Sequence, residues 1–540
     1  MKLRLPDKIS FTSDEGSFDL SKHNDVEVSV VINDLGHLRV WLTADESSVR
    51  YVKLRWNFAE GEKRGEAVKV YGDAWERGYG DLEWRGIVPE RCMPWVCAVS
   101  NGSDQDPDTS RRFTECFGVK VRPGAMCFWQ YDAGGLSLWL DVRCGGEGVI
   151  LKGRRLDVCE VVFEEYRGVS AFKALRAYYS LLCDAPLTPD HKVYGSNDWY
   201  YAYGKTSHGD IIVDTKLVAS LCEGNEEKPY MVIDSGWEKI KSSAPWDEFG
   251  TGKFDDMALL ASEMKALGVR PGIWVRPLND FDFSVYPEGA PQRCVRDGRF
   301  LDPSHPDTLA YVKNTMSMIC DWGYKLIKHD FSTFDTIGFW GFQRNSAFAA
   351  DGWHFYDRGK TTAEVFVELN KTIYEATEGR ALVLGCNVIG HLAAGYVHLN
   401  RTGDDTSGKE WERTRRYGIN TLAFRMLHHQ NFYESDADCV GIMGLIDWSL
   451  NRKWLEAVAN SGTPLFVSPD PKVIGDKERA DLKNAYKINS VQADELIPLD
   501  WMENVCPEKW LLNGKPISFE WFSENGGESF NPKRKVNPKG

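Results

Sequence analysis

An alternation of strand-like and helix-like segments from about residue 192 to residue 470 constrains the fold most strongly. Each short apolar run is followed by a segment with apolar residues at helical spacing, such as Met257, Leu260, Met264 and Leu267. Eight such units over about 280 residues are typical of a (β/α)8 TIM barrel. The competing fold is a doubly wound open sheet, but no GxGxxG or GxxxxGK[ST] motif follows a strand. The predicted barrel strands are 192–198, 229–235, 270–277, 324–330, 381–387, 396–404, 431–435 and 463–469.

The segments outside the barrel are predicted to be mainly β-structure. Alternating runs such as 26–32, 37–44 and 51–58, separated by Gly, Asp and Asn turns, indicate an N-terminal antiparallel β-sandwich. An amphipathic helix and the linker "DAPLTPDH" follow it, and a few strand-like pieces come after the barrel. The predicted domains are the β-sandwich with its linker helix (1–185), the barrel (186–485), and a small C-terminal β appendage with a tail (486–540).

Charge and composition limit the classes of partner. A net charge of −14 argues against binding to nucleic acid or to an anionic membrane surface. The sequence has no run of about 18 apolar residues, so it predicts no membrane span. The N-terminal "MKLRLPDKIS" lacks the apolar core of a signal peptide. The 13 cysteines show no CxxC spacing and are odd in number, which favours reduced thiols. These patterns predict a cytoplasmic protein.

Ionisable and polar side chains recur where the predicted strands end, which is where TIM barrels place their chemistry. An aspartate there can simply cap the next helix, but lysine and arginine do not cap helix N-termini. The fourth and sixth strands are the richest, because they end near Asp330 and Asp404. Polar residues also follow the other strands: Asp198, Trp199, Asp234, Ser235, Trp237, Arg276, Cys386, Asn387, Glu434 and Asp436.

Two carboxyl groups that face one pocket can divide the cleavage of a glycosidic bond between them. Lys328 lies two residues before Asp330, on the same strand face, and would favour its ionised form. The other carboxyl must hold a proton, and a partner such as Asp405 or Asp330 would raise its pKa. The alternative interpretation is that Lys328 and Asp330 form a buried structural ion pair.

Six segments, in order along the chain, resemble motifs of the melibiase-type α-galactosidases, glycoside hydrolase families 27 and 36. "CDWGYKLIKHD" is similar to the stretch in which Trp-Gly leads into Lys-Trp-Asp or Lys-Tyr-Asp, and "TGDDTSG" to Thr-Ser-Asp-Asp-Thr. "YMVIDSGW" is similar to Ile-Asp-Asp-Gly-Trp. The other three segments are "SNDWY" (196–200), "PGIWVRP" (271–277) and "LDPSHPDTLAYV" (301–312).

The resemblance implies a retaining exo-α-glycosidase that hydrolyses terminal α-galactoside-type residues of an oligosaccharide or glycoside through a covalent glycosyl-aspartate. It implies that Asp330 is the nucleophile and Asp404 the acid/base. It implies no metal or organic cofactor, and the histidines, including His428 and His429, show no metal-ligand spacing. The implied substrate-binding residues are Trp199, Asp234, Trp237, Trp274, Lys328, Cys386, Asn387, Arg401 and Asp405.

Departures from the family pattern leave the sugar open. Ser235 stands where the family has the second of two acids that hold the 4- and 6-hydroxyls of the sugar, and "GCNVIGH" replaces a glycine-rich segment. An L-arabinopyranoside, an N-acetylgalactosaminide or a glucoside is therefore an alternative substrate. His329 replaces an aromatic residue of the family, and strand alternation predicts that it points away from Asp330 and has a packing role.

Two further classes stay open: a non-catalytic sugar-binding relative, and a lyase with Lys328 as its Schiff-base amine. The long aromatic loop 331–361 is predicted either to form an aglycone subsite or lid, or to pack on the barrel or on a second copy in a homo-oligomer.

Overall fold

The computed structural model describes residues 3–19, 25–62, 65, 68–106, 108–238, 253–279, 300–491 and 495–522. Within these ranges the chain folds as an N-terminal pair of antiparallel sheets, a parallel barrel and a short C-terminal sheet. The predicted fold class, a TIM barrel with an N-terminal β-sandwich, is confirmed.

The N-terminal domain consists of two antiparallel sheets. Its strands are β1 (Lys8–Ser13), β2 (Gly16–Asp19), β3 (Val26–Ile32), β4 (Leu38–Ala44), β5 (Ser48–Asn57), β6 (Lys69–Gly72), β7 (Trp84–Arg85), β8 (Met93–Pro94), β9 (Val96–Ser100), β10 (Phe113–Val119), β11 (Met126–Asp132), β12 (Gly135–Asp141), β13 (Val149–Ile150) and β14 (Leu156–Arg167). One sheet has the order β2-β1-β5-β12-β11-β8, with β13 also paired to β5. The other has the order β3-β4-β14-β10-β9-β6-β7.

The core of this domain lies between the two sheets because the strands alternate in hydrophobicity. Leu38, Val40 and Leu42 of β4 are fully buried, whereas the residues between them are partly exposed. The rings of Trp56 on β5 and Trp129 on β11 lie 6.2 Å apart in this core. Helix α1 (Ala171–Leu182) begins at Ser170, whose hydroxyl accepts a hydrogen bond from the amide of Lys173, and it packs on the β10–β14 sheet.

The barrel follows with its strands all parallel. They are β15 (Tyr194–Asn197), β16 (Tyr230–Ile233), β17 (Arg270–Val275), β18 (Leu326–His329), β19 (Leu382–Gly385), β20 (Leu399–Arg401), β21 (Glu434–Asp436), β22 (Val440–Ile442) and β23 (Leu465–Pro469). Strand β23 pairs with both β15 and β22, and β21 pairs with β20. β21 and β22 are two halves of one seventh strand, interrupted around Asp438, and this strand closes the barrel. Seven of the eight predicted barrel strands are therefore confirmed, and the seventh, predicted at 431–435, forms instead as Glu434–Asp436 and Val440–Ile442.

Helices cover the outside of the barrel, which buries both faces of the strands and explains their nearly continuous apolar runs, such as "YMVI" in β16. Across the described residues, every helix is too short or too polar to cross a membrane. The helices are α2 (Trp199–Ala202), α3 (His208–Leu221), α4 (Met257–Ala266), α5 (Pro306–Asp321), α6 (Ser332–Ile337), α7 (Thr362–Thr377), α8 (Gly390–Ala393), α9 (Trp411–Arg413), α10 (Asn420–Arg425), α11 (Trp448–Asn460) and α12 (Asp476–Val491).

The chain then forms a small antiparallel sheet of β24 (Ile497–Pro498), β25 (Lys509–Leu512) and β26 (Lys515–Ser518). The indole of Trp411 donates a hydrogen bond to the backbone carbonyl of Trp521 at 2.8 Å, which attaches this region to the barrel. Helix α12 spans position 485, and the predicted tail beyond residue 522 lies outside the described residues. The predicted domain limits stay a prediction.

Candidate active site

A cavity of about 840 Å³ opens at the carboxyl ends of the barrel strands. This volume is in the range of small-molecule binding sites. The barrel brings together polar residues that are far apart in sequence, because the carboxyl ends of parallel strands meet at one edge of the sheet. Nine of the residues predicted from sequence line the cavity: Trp199, Asp234, Trp274, Lys328, Asp330, Cys386, Arg401, Asp404 and Asp405.

Asp330 follows β18, and both of its carboxylate oxygens are held. One oxygen accepts a hydrogen bond from the indole of Trp274 at 3.1 Å, and the other accepts from the backbone amide of Phe331 at 2.7 Å. The backbone amide of Asp330 donates to the carbonyl of Val275 at 2.9 Å. Phe331 has φ +62°, in the left-handed region that a non-glycine residue rarely adopts. The carboxylate is therefore fixed at the floor of the cavity.

Lys328 pairs with Asp234, which follows β16, two strands away from β18, and not with Asp330 as its position on the strand predicts. Its ammonium group lies 2.8 Å from Asp234, which also accepts a hydrogen bond from the side-chain amide of Asn197 at 2.8 Å. Burial alone would lower the pKa of Lys328, but Asp234 raises it well above its ordinary value. Lys328 is therefore a cation in the cavity.

The groups that contact Asp404 are cations rather than the carboxyl partner expected from sequence. A guanidinium nitrogen of Arg77 lies 3.2 Å from one carboxylate oxygen, and one of Arg413 lies 2.8 Å from the other. Asp405 pairs with Arg401 at 3.0 Å. Burial would raise the pKa of Asp405, but the nearby cations, Arg401 first among them, hold it below its ordinary value.

Arg401, at the end of the sixth strand, lines the cavity and contacts the seventh strand through its side chain. Its side chain is buried and also contacts Asp438 at 2.7 Å and the sulfur of Cys386 at 3.6 Å. Burial raises the pKa of the Cys386 thiol, so this group is neutral. Across the described part of the chain, no three His, Cys, Asp or Glu side chains are gathered as a metal site requires.

Two residues predicted to bind substrate lie behind the cavity instead of lining it. The indole of Trp237 donates a hydrogen bond to the backbone carbonyl of Trp274 at 2.9 Å. The side-chain amide of Asn387 donates to Glu76 at 3.0 Å and accepts from the amide of Phe334 at 2.9 Å. Both side chains are buried, so they position the lining from the outside.

Two of the three departures from the family pattern, Ser235 and His329, have different environments. Ser235 lines the cavity, and its hydroxyl donates a hydrogen bond to Glu238 at 2.5 Å. Burial raises the pKa of Glu238. His329 is fully buried outside the cavity lining, with Nδ1 3.3 Å from the hydroxyl of Ser332. Burial lowers the pKa of His329 to about 4, so this imidazole is neutral at pH 7.

The N-terminal domain supplies part of the lining that sequence analysis missed. The backbone amide of Gly78 donates to the carbonyl of Thr402 at 2.8 Å, which docks the segment "WERGYGD" (75–81) against the end of β20. The barrel segment "WERTRRYG" (411–418) also lines the cavity. Charged and aromatic residues close together are the one signal by which either segment could have been found in the sequence. The lining residues not predicted as substrate-binding are Arg77, Tyr79, Asp81, Tyr200, Ser235, Arg276, Phe331, Trp340, Phe342, Arg413, Arg416 and Tyr417.

The loop 331–361 lines the cavity and packs on the N-terminal domain, a packing partner that the sequence did not predict; its role as an aglycone subsite or lid stays a prediction. Its first part lines the cavity through Phe331, Trp340 and Phe342, and the ring of Phe342 lies 4.9 Å from that of Tyr79. Its second part packs on the N-terminal domain, where the backbone amide of Gly146 donates to the carbonyl of Trp353 at 2.9 Å. The loop therefore connects the cavity to the β-sandwich.

Comparison with known proteins gives a clear result for the fold. No family model and no curated protein matches the chain by sequence. The α-galactosidase of Thermus thermophilus in complex with p-nitrophenyl α-D-galactopyranoside is similar, with a TM-score of 0.59, 15% identity, and coverage of 96% of this chain and 98% of that one.

Two further solved structures are similar over most of their length. One is a variant of a family 36 α-galactosidase from Geobacillus stearothermophilus in complex with 1-deoxygalactonojirimycin, with a TM-score of 0.59, 13% identity, and coverage of 95% of this chain and 80% of that one. The other is the galactosidase domain of an α-galactosidase-sucrose kinase, with a TM-score of 0.57, 15% identity, and coverage of 89% and 75%. At these identities the likeness establishes the shared fold.

Proposed function

We propose that this chain is a retaining exo-α-glycosidase that acts on terminal α-galactoside-type residues. The observation that carries the proposal is that Asp330 and Asp404, from the ends of the fourth and sixth barrel strands, line one cavity. Such a pair of carboxyl groups suits glycosidic cleavage in two steps. The complexes that similar structures form with p-nitrophenyl α-D-galactopyranoside, stachyose and raffinose support an α-galactoside-type substrate.

In the first step a carboxylate oxygen of Asp330 attacks the anomeric carbon, and the bond from that carbon to the leaving oxygen breaks. Asp404 transfers its proton to the leaving oxygen, so the aglycone departs as a neutral alcohol. In the second step Asp404 removes a proton from water, whose oxygen attacks the anomeric carbon and releases Asp330. The second displacement restores the original anomeric configuration.

The remaining lining residues fit a sugar-binding role. Trp199 and Trp274 offer flat apolar faces, and the indole of Trp274 also holds Asp330 in position at 3.1 Å. Lys328 and Asp234 form a buried charged pair that can exchange hydrogen bonds with hydroxyl groups. Ser235 adds one neutral hydroxyl, so an L-arabinopyranoside, an N-acetylgalactosaminide or a glucoside stays an alternative substrate.

The lyase alternative is disfavoured by the state of Lys328. A Schiff base requires a neutral amine, and the contact with Asp234 raises the pKa of Lys328 well above its ordinary value. The sugar-binding alternative is disfavoured because both carboxyl groups expected of an enzyme are present and line the cavity.

The test is a panel of aryl α- and β-glycosides of galactose, N-acetylgalactosamine, glucose and L-arabinopyranose. We expect the protein to cleave an α-D-galactoside or its L-arabinopyranose counterpart, with retention observed by NMR. Asp330→Ala should lower kcat by at least ~10³-fold, because the nucleophile is lost. Added azide should then yield a glycosyl azide of inverted configuration.

The control is Asp321→Ala, which removes an exposed aspartate that pairs with Arg380 on the outside of the barrel. This variant should keep the activity of the unaltered chain. Undiminished cleavage by Asp330→Ala would refute the assignment of the nucleophile.

A further inference from the structure

Three guanidinium groups lie on the Asp404 side of the cavity: Arg77, Arg413 and Arg416. Arg77 and Arg413 both contact the carboxylate of Asp404, at 3.2 and 2.8 Å, and Arg77 also lies 4.0 Å from Glu76. Within the described residues, no carboxylate lies within 4.0 Å of Arg416. Two of the three groups lie near the ring of Tyr417. Its centroid is 4.8 Å from the guanidinium carbon of Arg413 and 5.9 Å from that of Arg416.

The other cations of the cavity are each matched by a carboxylate. Lys328 contacts Asp234 at 2.8 Å, and Arg401 contacts Asp438 at 2.7 Å. Arg276 contacts Asp335 at 2.6 Å. Among the described cations that line the cavity, Arg416 is therefore the one without a carboxylate within 4.0 Å.

Asp81, which also lines the cavity, does not pair with Arg416. One oxygen of its carboxylate accepts a hydrogen bond from the backbone amide of Tyr79 at 3.0 Å. Among the described residues, no cation lies within 4.0 Å of it.

We propose that the substrate carries an oxyanion, a carboxylate, sulfate or phosphate, on its leaving group, and that Arg416 and Arg413 bind this anion. The inference rests on the proposed function, in which Asp404 protonates the leaving oxygen, so groups beside Asp404 face the leaving group. Guanidinium groups bind oxyanions through two parallel hydrogen bonds, which neutral sugar hydroxyls do not match.

The cavity also leaves room for such a group. A second cavity of about 370 Å³ shares Arg77, Tyr79, Asp81 and Phe342 with the first. The second cavity therefore lies next to the first, along the N-terminal domain.

The anion also has a consequence for the acid step. An oxyanion bound by Arg413 and Arg416 also holds the leaving oxygen beside Asp404, because Arg413 contacts Asp404 at 2.8 Å. The anion therefore raises kcat as well as lowering KM.

The experiment compares 3-carboxyphenyl α-D-galactoside with its neutral isostere, 3-carboxamidophenyl α-D-galactoside. The carboxamide is the slightly better phenolic leaving group, so a preference for the carboxylate does not come from leaving-group electronics. We expect kcat/KM to be at least about tenfold higher for the carboxylate, a preference that weakens as salt is added. Parallel 3-sulfate and 3-phosphate esters of the same phenyl galactoside identify which oxyanion is preferred.

Arg416→Gln should lower the carboxylate-to-carboxamide ratio by about tenfold. The matched control is Arg415→Gln, because Arg415 is the adjacent arginine, lies outside the cavity lining and pairs with Glu412. Arg415→Gln should leave the ratio unchanged. If Arg416→Gln does not fold, Arg416→Lys keeps the charge but loses the planar fork, and it should give an intermediate ratio.

Calorimetric binding of both glycosides to Asp330→Ala separates this inference from the proposed function. Tighter binding of the carboxylate by Asp330→Ala, together with no hydrolysis of either glycoside by the unaltered protein, would support the anion site and refute the glycosidase. Equal kcat/KM for the two glycosides, or no preference in binding, would overturn the anion site and leave the glycosidase to its own test.

Discussion

Three ionisable residues in a row end the fourth barrel strand, and each has a different role. Lys328 and Asp330 line the cavity because alternate residues of a strand share one face. His329 lies on the opposite face, fully buried, where burial lowers its pKa to about 4. The alternation is visible in the sequence, which is why the packing role of His329 could be predicted there.

Replacing His329 with Phe should make the protein more resistant to acid. The unfolded chain takes up a proton at this histidine near pH 6.5, whereas the folded protein does so only near pH 4. The wild type therefore loses stability as the pH falls from about 6.5 to about 4, by up to about 3 kcal/mol. As the pH falls from 7 to 4, we therefore expect the free energy of unfolding of His329→Phe to rise by this amount relative to that of the wild type.

Urea unfolding at several pH values measures this difference. A lost contact with Ser332 or a tighter fit of the phenyl ring changes the free energy of unfolding by the same amount at every pH. The diagnostic quantity is therefore how the difference in this free energy between variant and wild type changes with pH. A difference that does not change with pH would contradict a buried neutral imidazole at position 329.

The partners of the charged residues could not be predicted in the same way. Lys328 was expected beside Asp330 because the two share a strand face, but its contact is Asp234, 94 positions away. A contact between strands depends on their register and separation, which strand periodicity does not encode. The contact between Arg77 and Asp404 crosses two domains and has no sequence periodicity at all.

At the scale of the elements, the turn after β18 holds Asp330 through an unusual backbone conformation. The φ of Phe331 is +62°, and its amide donates to the carboxylate of Asp330. The left-handed conformation costs roughly 1 kcal/mol in a residue with a side chain. The ring of Phe331 lies 4.3 Å from the guanidinium carbon of Arg276, which offsets part of this cost.

The paired variants Phe331→Gly and Phe331→Ala test this turn. Both lose the ring, but only glycine adopts a positive φ without steric cost, so Phe331→Gly should be more stable than Phe331→Ala by about 1 kcal/mol. The measurement is the urea midpoint of each variant at equal slope. If the alanine variant were as stable as the glycine variant, the turn would not be left-handed.

The seventh barrel strand is the element for which the sequence was least informative. It was predicted at 431–435, whereas the structure forms Glu434–Asp436 and Val440–Ile442 with a break between them. Asp438 in the break has φ +72°, and its carboxylate accepts from the amide of Thr406 at 2.7 Å. Two strands of three residues each are too short to show the alternation of apolar and polar residues that marks a strand. The residues between them make contacts in the interior of the barrel.

At the scale of the whole molecule, the cavity depends on close contact between the N-terminal domain and the barrel. Gly78 and Gly403 lie side by side where the two domains meet, next to Arg77 and Asp404. A methyl group on Gly403 would lie 2.3 Å from the hydroxyl oxygen of Thr421 and 2.8 Å from the backbone carbonyl of Tyr417. Position 403 therefore needs a residue without a side chain, because an added methyl group would overlap these two neighbouring residues of the barrel.

Gly403→Ala should displace the segment that carries Asp404. We expect the free energy of unfolding to fall by about 1–3 kcal/mol and kcat to fall by up to about 10²-fold, because a shift of about 1 Å misplaces a catalytic group. Thermal unfolding and the hydrolysis rate of the preferred aryl glycoside measure the two effects.

The control substitution is Gly209→Ala in helix α3, where the nearest atom to the added methyl group lies 3.9 Å away. Alanine favours the helix there, so stability should stay equal or rise by up to about 1 kcal/mol. Wild-type stability and activity in Gly403→Ala would show that the domain junction tolerates movement.

The division of the chain into a sandwich and a barrel could be predicted, because each has its own hydrophobic period. The contribution of the sandwich to the cavity could not. Arg77, Tyr79 and Asp81 lie in a loop whose sequence resembles any charged surface turn, and only docking on the barrel turns them inward. Loop residues of one domain gain such a role through an interface that neither hydrophobic pattern encodes.

The position of Arg77 in the chain also has a consequence for biosynthesis. The roughly 330 residues between Arg77 and Asp404 take about 15–65 s to synthesise at about 5–20 residues per second, so the sandwich emerges from the ribosome long before the sixth barrel strand. During that interval the segment 75–81 exposes its charges and rings to the cell without the surface that later covers them. A nascent chain of this protein therefore has no complete cavity until nearly all of it has been translated, and a truncated product would be inert rather than partly active.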